Sequence, residues 1–253
     1  MKWIFLILSL SFILYSLFFI LYSGKWDGQS RFTMVDLGPP VTISSFDPAT
    51  HKGIHLLVPN NLEVDTSSGR GKFPAGSLAA AGTHSWASES ISSYLGIFVT
   101  GEMSQLKRVD KLRWWWSARQ VEWKTVDLAK TQLVNYQQTA DGQSVGKLAP
   151  KWEQVASEWF ASLVISQEKL TIGVVNTTGV AGLAASVARS IETSGMKVIE
   201  VSNSSQEMDK CEIATPVSLK KSVGVQLMKT VYNCKWKEGD KLTLSLGRDF
   251  TSR

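Results

Sequence analysis

Charge is missing from Trp3 to Tyr22, where only Ser and Tyr interrupt an apolar run of twenty residues. At about 1.5 Å per residue such a run reaches roughly 30 Å as a helix, the thickness of a bilayer's hydrocarbon core. A core helix of a water-soluble domain is seldom apolar on every face. The missing charge therefore predicts a transmembrane anchor over residues 1–24. A cleaved secretory signal is the competing reading, but signals carry a shorter apolar stretch of about 7–15 residues ending in small side chains. Here Leu21, Tyr22, Lys25 and Trp26 surround any cut. Lys2 precedes the run while Lys25 and Arg31 follow it, so the positive-inside rule discriminates little. The short N-terminus favours an outside location for the remainder.

Other absences exclude chemistry. There are three histidines, His51, His55 and His84, with no metal-like spacing and no nearby cysteine, so no metal site is expected. No nucleophile elbow, paired-carboxylate motif or P-loop appears, and no catalytic residue is assigned on such grounds. No five like charges stand in a row; the excess of 27 Lys and Arg over 22 Asp and Glu is dispersed. A dispersed net charge of +5 suits ordinary solvation or a polyanionic neighbour such as anionic lipid or a wall polymer. Nucleic acid is not expected. Cysteine is limited to Cys211 and Cys234. In an exported domain the pair predicts a disulfide closing a loop of about 24 residues, worth on the order of 3 kcal/mol; in the cytosol the pair reads as buried thiols.

The remainder, in a chain 43% apolar, suits one or two modest domains. Residues 25–40, ending in Gly38-Pro39-Pro40, read as a linker. Val41–Phe46 and Ile54–Val58 alternate as strands around a turn at Asp47–Gly53 and predict a hairpin. Helices are expected over roughly 75–82 and 86–95, beyond a Gly/Ser loop at 67–72. Within 102–123 a helix would place Val109, Leu112, Trp115, Trp116 and Arg119 on one face, with Lys107, Lys111 and Trp114 opposite. Core packing is then expected of Trp115 and Trp116, and ligand contact of Trp114. The polar stretch Gln137–Lys147 reads as a loop. Trp152, Val155, Ala156, Trp159, Phe160 and Leu163 recur at helical spacing and predict an amphipathic helix over 151–168 between two units, 41–150 and 169–253.

The last unit is the clearest. Strands at 170–175, 197–201, 211–215 and 241–246 frame a helix with Val180, Leu183, Val187 and Ile191 on one side and another presenting Leu219, Val223, Leu227 and Val231. The order βαββαβ predicts an α/β (α+β) sandwich. Val174–Gly182 is placed like a dinucleotide loop, but Thr177 stands where the first glycine belongs, so the fingerprint fails.

Asn176-Thr177-Thr178-Gly179-Val180-Ala181-Gly182-Leu183-Ala184, with Ser194-Gly195 and the closing Leu246-Gly247-Arg248-Asp249-Phe250, resembles the LytR C-terminal domain. Upstream, Phe46-Asp47-Pro48, Leu57–Val64, Gly71-Lys72 with Ser77–Gly82, and Tyr94–Ile97 resemble parts of the LytR-CpsA-Psr catalytic domain. The resemblance implies a membrane-anchored protein outside the cell, working beside a polyprenyl-pyrophosphate carrier and the wall. It also implies arginines, aspartates and a divalent cation such as Mg around a pyrophosphate. Here Asn60 and Asn61 fall where the family carries Arg-Asp, and Phe32 where an upstream aspartate belongs. Carboxamides supply neither the cation's carboxylates nor the positive field.

The expectation is a small, degenerate LytR-CpsA-Psr-like module, without a cofactor, that binds or scaffolds at the wall. Arg70, Lys72, Arg113 and Trp114 are the candidate anionic-polymer residues. The alternatives are an active phosphotransferase drawing on Arg31, Asp36, Arg70 or Asp110, with a divalent cation, and an adaptor whose C-terminal domain recognises an envelope protein. Oligomeric state is not read from the sequence.

Overall fold

Alternation and helical periodicity resolve into two α/β units in the computed structural model, which describes residue 24 and residues 26–251. The expected anchor therefore lies outside the described residues, except for Gly24. Among the described residues no helix is long and apolar enough to cross a membrane.

The first unit begins with β1 (Phe32–Asp36), β2 (Thr42–Asp47) and β3 (Lys52–Leu57), followed by a small ladder of β4 (Glu63–Asp65) and β5 (Lys72–Pro74). Helices α1 (Leu78–Ala81) and α2 (His84–Leu95), the short β6 (Gly101–Glu102), α3 (Arg108–Ala118) and β7 (Glu122–Asp127) come next. The main sheet has the order β6-β1-β2-β3-β7, with β1, β2 and β3 antiparallel and the outer strands parallel to their neighbours. The hairpin expected from 41–58 is thus present as β2 and β3. The stretch read as a linker is not one. Phe32–Asp36 forms an inner strand, and Trp26 is 1% exposed. Pairing on both sides and burial of Phe32 and Met34 hold this segment, which the glycines and prolines beyond it disguise.

Both faces of the sheet are covered, because register sorts its side chains into two sets. Val35, Ile43, Ile54, Leu56 and Val126 line one face under α2 and a later helix. Phe32, Met34 and Phe46 line the other and meet Trp26, Trp114 and Trp123. Helix α2 starts where Thr83 Oγ1 accepts from the Trp86 amide and stops at Gly96, whose φ of 62° lets its N–H return to the last carbonyls.

The polar stretch expected as a loop is a hairpin, β8 (Val134–Gln138) and β9 (Ser144–Leu148), turned by Asp141 and Gly142. Most of β8 is exposed on both faces, so no alternation marks it. The amphipathic segment then divides into α4 (Trp152–Phe160) and α5 (Leu163–Glu168). In α4, Trp152, Ala156 and Phe160 are buried at i, i+4 and i+8, and Trp152 Nε1 donates to the Leu95 carbonyl at 2.8 Å.

The second unit runs β10 (Thr171–Asn176), α6 (Leu183–Thr193), β11 (Lys197–Asn203), β12 (Glu212–Thr215), α7 (Val223–Val231), β13 (Lys235–Glu238) and β14 (Thr243–Leu246). It has one strand more than the expected βαββαβ. Its mixed sheet has the order β11-β10-β14-β12-β13. The extra β13 is an edge strand rich in Lys and Glu, parallel to β12. Cys211 and Cys234, just before β12 and β13, form the expected disulfide with Cα atoms 4.8 Å apart, the ordinary spacing of neighbouring strands.

Candidate functional site

The two units are joined by more than the chain. Phe98, from the first, is buried in the core of the second and meets Tyr232 edge-on at 5.3 Å. Ser93 and Ser186 share a 2.6 Å hydrogen bond, and Arg189 donates to the Ser93 carbonyl at 2.8 Å. The Ser162 amide donates to Ser194 at 3.0 Å.

Along this junction runs a cleft of ≈ 1060 Å³. Helix α2 supplies a row of hydroxyls, Ser85, Ser88, Ser92 and Ser93, and α6 faces them with Ser186 and Ser190. Phe98, Tyr232 and Phe250 contribute aromatic surface. The carboxylates of Asp65, Glu89, Glu102, Asp110 and Glu153 outnumber the cations of Lys107 and Arg189. Such a lining favours hydroxyl-rich, neutral or cationic groups and repels a pyrophosphate.

Glu102 and Asp110 are the two buried acids of this set, and Glu102 is the one paired with a histidine. It is 7% exposed; its Oε1 meets His84 Nδ1 at 2.9 Å and also accepts from Ser104. Its buried Oε2 has no hydrogen-bond partner among the described residues. A buried acceptor left without a donor is costly, and this one lies in a residue of the cleft wall. The sequence offered one weak signal for it, a carboxylate three residues past the apolar Ile97-Phe98-Val99.

The sequence-derived candidates lie elsewhere. Lys72 pairs with Glu63 across the β4–β5 ladder at 3.3 Å, and Arg70 lies over the Trp86 ring at 5.2 Å. Arg113 donates to the Trp26 carbonyl, and Trp114 packs on the Trp26, Phe32, Met34 and Phe46 cluster. None of the four lines the cleft. The expected core face of α3 is kept at Val109 but not at Leu112, Trp115 and Trp116. Val109 and Asp110 are buried and Trp114 half-buried, whereas Leu112, Trp115 and Trp116 are exposed. Sheet aromatics and Trp26 on the far face of β1 and β2 select Trp114, giving a hydrophobic patch that helical spacing alone does not specify.

The charges considered for a transferase have separate structural roles. Asp36 accepts from the Gly38 amide at 3.1 Å, and Asp110 from the Trp26 amide at 3.3 Å. Arg31 donates to the Ala161 carbonyl at 2.8 Å and to Ser45 Oγ at 3.3 Å; burial lowers its pKa, and the Asp47 charge opposes that shift. Asp47 itself is fully buried and accepts from the Leu163 amide at 2.7 Å and Ala49 at 2.9 Å, so the Phe46-Asp47-Pro48 turn holds the α4–α5 corner. Asn61 Nδ2 donates to the Ser144 carbonyl at 2.8 Å. Among the described residues no three His, Cys, Asp or Glu side chains converge as a metal site.

In the nucleotide-like loop, Asn176 is the organiser. Its Nδ2 donates to the Val180 carbonyl at 2.8 Å, its Oδ1 accepts from the Thr178 amide at 3.0 Å, and Gly179 and Gly182 take φ of 76° and 80°.

Fold and junction define a two-unit α/β protein with a disulfide-closed second unit and a polar cleft between units. Residues 169–250, which make up that second unit, match the family described as LytR cell envelope-related transcriptional attenuator. The second unit is therefore a LytR C-terminal domain, as its loop and closing motifs imply. A comparison with curated proteins finds no match.

Proposed function

We propose that this chain is a membrane-anchored, extracytoplasmic cell-envelope protein that binds or scaffolds at the wall and catalyses no transfer, a degenerate relative of the LytR-CpsA-Psr group. The observation that carries the reading is a LytR C-terminal domain bordering a carboxylate-dominated, hydroxyl-lined cleft. Envelope glycans present many hydroxyl donors and, where de-acetylated, amines; the carboxylates and serine hydroxyls of the cleft supply acceptors for either. The disulfide suits an oxidising compartment, and the apolar uncharged run at 3–22 suits an anchor. Asn61 at a turn, in place of a family charge, favours binding over transfer.

The test uses the full chain in detergent with isolated wall sacculi and, separately, with lipid-linked glycopolymer and Mg²⁺. Retention on sacculi, weakened by Glu102→Ala, is expected, with no turnover. Metal-dependent turnover abolished by Arg70→Ala would sink the binding-only reading.

A further inference from the structure

Helix α3 carries its most apolar face outward. Leu112, Trp115 and Trp116 are 59%, 46% and 63% exposed, respectively. Arg108, Lys111 and Arg119 are exposed on the same side, and the Arg119 guanidinium lies 3.3 Å from the centre of the Trp115 ring. These six positions follow i, i+3, i+4, i+7, i+8 and i+11, one continuous helical stripe. Tryptophan and leucine interleaved with basic side chains suit a helix lying in the plane of a lipid interface, where the rings enter the headgroup boundary and the cations meet anionic lipid.

The path of the chain supplies a second argument. Gly24 lies against Asp110 and Arg113 of α3, the Trp26 amide donates to Asp110 at 3.3 Å, and Arg113 returns a hydrogen bond to the Trp26 carbonyl. The uncharged run ends at Tyr22, two residues before Gly24. Across α3 to its outer face is one helix diameter, about 10–12 Å, which three or four extended residues cover. A run embedded in a bilayer therefore leaves α3 within reach of the surface.

We propose that the outward face of α3 docks on an anionic phospholipid surface and fixes how the two units and their cleft stand over the membrane. This rests on the reading of residues 3–22 as an anchor.

The test uses the full chain in vesicles of phosphatidylcholine and phosphatidylglycerol containing headgroup-level nitroxide lipid. A fluorophore is placed through Trp116→Cys or, as a control on another exposed position, Val217→Cys, with the native disulfide retained. Since interfacial helices seat about 5–10 Å into the headgroup region, at least about twofold stronger quenching is expected at position 116 than at 217. Lys111→Glu with Arg119→Glu is expected to reduce that difference. Equal quenching at both positions, in a chain that resists alkaline carbonate extraction, overturns the docking and leaves the anchor standing. Release by carbonate overturns the anchor; if position 116 is still selectively quenched before release, the docking is supported by itself. Concentration-dependent shielding of position 116 without lipid quenching means that a second copy covers the face, and overturns the lipid assignment.

Discussion

Trp114 and Trp116 lie two residues apart on one helix and face opposite environments. Trp114 sits on Trp26, Phe32 and Phe46, whereas Trp116 is 63% exposed. Removing a half-buried indole leaves a gap among aromatics, so Trp114→Ala is expected to destabilise the protein by on the order of 2–3 kcal/mol. Trp116→Ala is expected to change stability by no more than about 0.5 kcal/mol. Urea denaturation of the two variants checks the pair; equal losses would contradict this packing. His55 gives a pH test at the same scale. It is half-buried, stacks on Trp123 at 4.0 Å and meets Ser44 Oγ at 2.9 Å. Desolvation lowers its pKa below 6.5, so the unfolded chain takes the proton more readily. Its contribution to stability is complete above the unfolded value and is lost as pH falls through the folded one. The urea midpoint of the wild type is expected to drop more than that of His55→Gln between about pH 7.5 and pH 5.5.

At the scale of elements, the disulfide holds β13 at the sheet edge beside β12. Closing a loop of this size contributes about 3 kcal/mol, so reduction is expected to lower the denaturation midpoint by that equivalent and to raise hydrogen exchange first along β13. Mass-resolved exchange with and without reductant measures it. What was legible in the sequence follows from what each element buries. The β2–β3 hairpin, α2, α4, β10 and α6 each bury one strong apolar set, and their periods show it. Strands β8 and β13 are largely exposed and polar, so pairing alone defines them. Helix α3 was legible as a helix but not in its orientation, because tryptophan stands on both faces and the deciding partner, Trp26, is distant in sequence. The cleft was illegible for a related reason: its walls come from α2, the segment after it, α6 and the distant Val231, Tyr232 and Phe250, and no short motif spans them.

For the whole molecule, the first unit supplies a side chain to the core of the second. Phe98 belongs by sequence to the first unit and by burial to the second. Phe98→Ala is expected to cost about 3–5 kcal/mol, and calorimetry is expected to show one cooperative unfolding transition splitting into two. Persistence of a single transition would mean that the other junction contacts, from Ser93, Ser162 and Arg189, suffice to couple the units. The same scale governs the cleft, which exists only while the units stay docked, so its ligand is expected to stabilise their association.

The matched segment starts at residue 169, while one ring of its core is supplied from seventy-one positions upstream, at residue 98. The domain recognisable by descent is thus not self-sufficient by packing. Excised at the recognisable boundary, it would keep its sheet, helices and disulfide yet leave Tyr232 without its edge-on neighbour. A transplanted copy would need a replacement ring from its new host.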